Sequence, residues 1–97
     1  MRYKVRVIGD SMLPTIKDGA WITLEKWDRQ TPLELSVGDI VAFKDKGLRG
    51  LFMRHVHRIV LLDERRLLFT AKGDNRNMSQ PYETDVPIAH IEAKVIL

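Results

Sequence analysis

The chain has 97 residues, 44% hydrophobic and 30% charged, which fits one globular domain over 1–97 and excludes a disordered chain. Its net charge of +3 is scattered, with Arg65-Arg66 the only Arg/Lys pair, so no basic run marks a nucleic-acid site. With no cysteine, disulfides, thiol catalysis and cysteine-ligated zinc are excluded. A chain this short buries roughly 60–65% of its unfolded surface, enough to fold alone with little to spare. No apolar stretch approaches the ~20 residues needed to span a bilayer, and no apolar signal-like segment opens the chain. As written it is expected to be soluble and cytoplasmic, and membrane-associated if it is a fragment of an anchored protein.

Tyr3-Lys4-Val5-Arg6-Val7-Ile8 alternates and reads as a strand. It runs into Gly9-Asp10-Ser11-Met12-Leu13-Pro14-Thr15, where a glycine before Ser11 and a proline after it let the backbone aim the serine outward. Lys17-Asp18-Gly19 is a turn, and Ala20–Leu24 a strand rich in β-branched and aromatic residues. Residues 26–36 lack periodicity and read as a loop. Val37-Gly38-Asp39 then turns into the short strand Ile40–Phe43, and Lys46–Gly50 is a glycine-punctuated connection. A long strand over Leu51–Leu62 turns at Asp63-Glu64-Arg65 into Arg66–Ala71. Residues 72–87, polar and holding Pro81 and Pro87, read as a loop, with at most one helical turn near 86–90. The last strand, Ile91–Leu97, is expected to put Ile91, Ala93, Val95 and Leu97 on one face. Trp21, Trp27 and the tip Leu51-Phe52-Met53 are core by default; an exposed patch for an apolar substrate segment or a membrane surface is the sharper alternative.

Ser11 is displayed as a nucleophile is, although a serine in a turn is ordinary. On the long strand His55, His57 and Ile59 share one face, and Arg54, Val56 and Arg58 the other. Two histidines so spaced could be zinc ligands, but His90 and Asp74 would complete that set at no familiar spacing. They could be polar residues on a half-exposed face. Or His57 could be a general base for Ser11, a task that suits imidazole because it titrates near neutral pH. The turn Lys72-Gly73-Asp74-Asn75-Arg76 could cap its own backbone, present the Asp74 carboxylate to the His57 ring, or pair Asp74 with Arg58.

Ser11-Met12-x-Pro14-Thr15, Gly38-Asp39-Ile40-Val41, Val56-His57-Arg58-Ile59 and Lys72-Gly73-Asp74-Asn75 together resemble the type I signal peptidase family, in order and over nearly the whole chain. The resemblance implies an all-β fold: a small coiled antiparallel sheet or partial barrel of the LexA and signal peptidase type. It implies a serine endopeptidase with Ser11 as nucleophile and His57 as base, the histidine standing where the bacterial branch has lysine, as in the archaeal and endoplasmic-reticulum branch. Asp74, or Ser79 at the place of a bacterial serine that orients the base, is expected to orient His57. Gly9 replaces a serine that in some bacterial members serves the oxyanion hole, so the Ser11 N–H is the donor expected.

The implied substrate is a peptide or preprotein held as an extended strand, with small residues just before the cut. No cofactor, metal or nucleic-acid partner is implied; peripheral membrane contact and oligomeric state stay open. Gly9-Asp10-Ser11-Met12 is also similar to LexA-type self-cleaving domains, so a LexA-type autoprotease fragment is one alternative. A non-catalytic peptide-binding or regulatory module is the other.

Overall fold

The computed structural model describes residues 1–27, 34–46, 52–79 and 82–97. The fold is all-β. Its strands are β1 (Arg2–Arg6), β2 (Trp21–Lys26), β3 (Ile40–Lys46), β4 (Phe52–Asp63), β5 (Leu68–Lys72), β6 (Glu83–Pro87) and β7 (Ile91–Ile96), with a 3₁₀ turn at Ile88–His90. They form one antiparallel sheet in the order β1-β2-β7-β3-β4-β5-β6, open at β1 and β6 and not closed into a barrel.

Both faces of this sheet carry a core. Met12, Ile16, Ile22, Leu24, Ile40, Ala93 and Val95 form the first. Val41, Phe43, Ile59, Phe69, Ala71, Val86 and Ile91 form the second. Period-2 alternation along β3 explains the division, sending Ile40 to one side and Val41 and Phe43 to the other.

Three bulges break that alternation. Ala42 pairs with Ala93 but Phe43 with Ile91, so Glu92 is an extra residue in β7. Ile91 thereby joins the second core while Ala93 and Val95 stay in the first, and Leu97 is exposed. The expected single face of the last strand is corrected by that one residue. Val60 is the extra residue of β4, placed between the pairs Ile59–Ala71 and Leu61–Thr70. In β6, Phe69 pairs with Val86 and Ala71 with Glu83, so Thr84 and Asp85 together oppose Thr70.

β6 itself falls inside the loop expected over 72–87. It is an edge strand, where Pro87 costs little because an edge has unpaired amides anyway. Leu67, at φ 55°, holds the left-handed position of the β4–β5 connection, so β5 begins at Leu68 and not at Arg66. Most of the loop read over 26–36, and the connection at 46–50 beyond Lys46, lie outside the described residues. Trp27 packs against the second core, whereas Trp21 and Met53 are exposed; Phe52 opens β4, and Leu51 lies outside the described residues. Among the described residues no helix is long and apolar enough to cross a membrane.

Phe43 is fully buried, its ring edge-on to Phe69 at 5.0 Å between centroids. Truncation there opens a cavity that packed strands cannot close. Phe43→Ala is expected to lower unfolding stability in urea by about 3–5 kcal/mol, against less than about 0.5 kcal/mol for Leu97→Ala.

Candidate active site

Ser11 lies in a loop held at both ends. The Leu13 N–H donates to Asp10 O at 3.2 Å, closing the turn around Ser11, and the Ile16 N–H donates to Met12 O at 2.9 Å. Met12 is anchored in the first core, so the residue after Ser11 is fixed by packing. Gly9 enters the loop at φ 101°, a left-handed conformation that side chains disfavour, and its N–H donates to Asp18 Oδ1 at 2.8 Å.

The turn after β5 clamps the same loop. The Asn75 N–H donates to Ser11 O at 2.9 Å, and Asn75 Nδ2 donates to Asp10 O at 2.8 Å. Thr15 Oγ1 donates to Asp74 Oδ2 at 2.6 Å. Arg58 fastens this turn to the sheet with two bonds to Asp74, from Nε at 2.9 Å and Nη2 at 2.7 Å. Its Nη1 donates to Gly38 O at 2.7 Å. The four sequence boxes thus meet in space, with Arg58 at the junction.

His57 is buried on the opposite strand face from Arg58. Its Nε2 lies 3.1 Å from Ser11 Oγ, and its Nδ1 2.5 Å from Glu83 Oε1. In the tautomer with the proton on Nδ1, Glu83 accepts from that N–H and Nε2 accepts from the Ser11 hydroxyl. The His57 and Glu83 side chains are 9% and 11% exposed, which shields the pair from competing water. The buried Phe43 ring meets His57 edge-on at 6.4 Å and stacks on His55 at 5.3 Å, limiting how the imidazole can turn.

Of the sequence-predicted residues, the structure brings Ser11 and His57 together, pairs Asp74 with Arg58 and leaves Ser79 at the exposed surface. The expectation that Asp74 or Ser79 orients the ring is corrected. Asp74 is taken by Arg58, whose planar guanidinium offers two parallel N–H groups to one carboxylate. Ser79 is exposed. Glu83 was missed because it fell in a segment read as loop. The β-branched Thr84 and Val86 beside it were the available sign of an edge strand.

No protein-family model, curated protein or solved structure matches the chain. The site is therefore read from its own geometry. Among the described residues, no three His, Asp or Glu side chains are grouped as metal ligands. A groove of about 950 Å³ opens at Ser11 and His57, and Val5, Val7, Leu24, Ala42 and Val56 give it apolar walls.

The hydrogen bonds from Arg58 hold the Asp74 carboxyl below the usual carboxylate range. The Thr15 hydroxyl, the charge of Arg58 and that of His57 when its ring is protonated add to this, against the opposing effect of burial. Asp74 in turn holds Arg58 above the ordinary guanidinium value. A carboxylate depressed in the fold stabilises it above the unfolded-state value, near pH 3.9, and that contribution is lost as pH falls through the folded value. Urea unfolding at pH 7 and pH 3 is expected to show this loss in the parent. Asp74→Asn should be less stable than the parent at pH 7 and lose less on acidification.

Proposed function

We propose that the chain is a serine endopeptidase in which Ser11 is the nucleophile, His57 the general base and Glu83 the group that orients the base. The observation that carries this reading is the chain of contacts Ser11 Oγ–His57 Nε2–His57 Nδ1–Glu83 Oε1, at 3.1 and 2.5 Å. Ser11 Oγ attacks the scissile carbonyl carbon while Nε2 takes the hydroxyl proton. The same proton passes to the leaving amine as the tetrahedral intermediate collapses to an acyl-enzyme. Water, deprotonated by His57, then attacks the acyl carbon and releases the new carboxyl terminus. Glu83 stabilises the imidazolium formed at each step and keeps the Nδ1–H tautomer in place.

Peptide substrates are favoured by the resemblance to type I signal peptidases and by the apolar groove that leads to Ser11. The reading places the extended substrate along this groove, with small residues just before the cut. The chain is assigned to a histidine-base variant of that family within this proposal.

Purified protein should cleave peptides carrying Ala at the residue before the cut and at the one two places upstream. Phe or Lys at either position should slow cleavage by orders of magnitude. Ser11→Ala and His57→Ala should remove nearly all activity, while His55→Ala and His90→Ala retain it. Glu83→Gln should lower kcat by up to about 10⁴-fold, with Asp74→Asn less affected. Full activity in His57→Ala would defeat the peptidase mechanism. Peptide binding with no cleavage by the parent would favour a non-catalytic binding module.

A further inference from the structure

We infer that the bulge at Asp85 sets the Glu83 carboxylate on the His57 ring, making Asp85 a positioning residue for the base. The inference uses the proposed peptidase function only for its activity readout. Glu83 and Val86 are three residues apart, so a regular strand would send their side chains to opposite faces. The observed pairing sends both to one face. Val86 opposes Phe69 and Glu83 opposes Ala71, while two residues, Thr84 and Asp85, together oppose Thr70. Phe69, Ala71 and Val86 all lie in the second core, which fixes the face that Glu83 shares.

His57 stands on that same face. Ile59, two residues along β4, is in the second core and pairs with Ala71. A row therefore crosses three strands from Ile59 through Ala71 to Glu83. Ala71 contributes only a methyl group, which leaves room for the long Glu83 side chain to reach the imidazole. With the bulge ironed out and Val86 kept on Phe69, Thr84 would oppose Ala71 and Glu83 would turn to the other face.

The bulge rests on backbone that few residues adopt. Asp85 has φ 53°, a left-handed value that aspartate tolerates, glycine favours and β-branched residues strongly oppose. Its side chain is 55% exposed and approaches Arg66 only at 3.9 Å, so the backbone conformation is its main contribution.

Three variants separate conformation from side chain: Asp85→Gly, Asp85→Val and deletion of Asp85. ¹⁵N spectra of the histidine rings report the His57 tautomer without any substrate. Cleavage of the Ala-containing peptides reports kcat and KM. Asp85→Gly keeps the bulge and should keep the Nδ1–H tautomer and kcat within about 3-fold of the parent. Deletion leaves one residue between Glu83 and Val86, so a regular strand keeps both on one face, and tautomer and kcat should survive. Asp85→Val should lose the fixed Nδ1–H tautomer and lower kcat toward the level of Glu83→Gln, with KM changed far less. An Asp85→Val protein that keeps the tautomer and kcat overturns the inference. So does a folded deletion variant that loses them. If Asp85→Val does not fold, the deletion decides alone. If the parent cleaves no peptide, the tautomer still tests this inference while the proposed function fails separately.

Discussion

The bidentate pair between Arg58 and Asp74 is the contact on which the site depends. Ser11 and His57 are 46 residues apart in sequence, and chain connectivity alone does nothing to keep them in reach. Arg58 belongs to the same strand as His57, and Asp74 to the turn that clamps the Ser11 loop. A guanidinium facing a carboxylate with two parallel bonds resists both sliding and twisting, which a single bond does not. Its third bond, to Gly38 O, ties in the turn before β3. Removing Asp74 would leave the Arg58 cation with the Gly38 carbonyl alone and take both the Arg58 and Thr15 bonds from the turn in one change.

Alternation and turn residues made most of the sheet legible. β2 and β4 fall within one or two residues of the runs read from β-branched content and glycine turns, and β3 starts at Ile40 as read but runs three residues further, to Lys46. Ser11 and His57 were legible for a different reason: each sits where its own strand or turn dictates its direction. Glu83 was hidden because its direction is dictated by an irregularity. Bulges change the face of every residue beyond them, and nothing local in Glu83-Thr84-Asp85 announces one. Ile91 was placed on the wrong face by Glu92 for the same reason. Asp74 was ambiguous between Arg58 and His57, since both partners precede it in one short segment, and only three-dimensional geometry decides which of them it meets.

Alternation along β3 divides the apolar residues between two cores, and the bulges adjust what the neighbouring strands add to each. The extra residue in β7 lets that strand give Ile91 to the second core and Ala93 and Val95 to the first, while those in β4 and β6 keep Ile59 with Leu62 and Val86 with Glu83 on one face. Each adds local twist, so the open sheet coils without closing.

Ser11 adjoins Met12 of the first core, while His57 is two residues from Ile59 of the second. The Ser11–His57 contact therefore bridges two packed bodies that the sheet separates. Neither core holds both groups, so the 3.1 Å contact between them measures the alignment of one core against the other. Slippage between the two halves, too small to unfold either, falls directly on this Ser11–His57 distance. Substitutions deep in either half, far from Ser11 and His57, act on their contact through this shared seam.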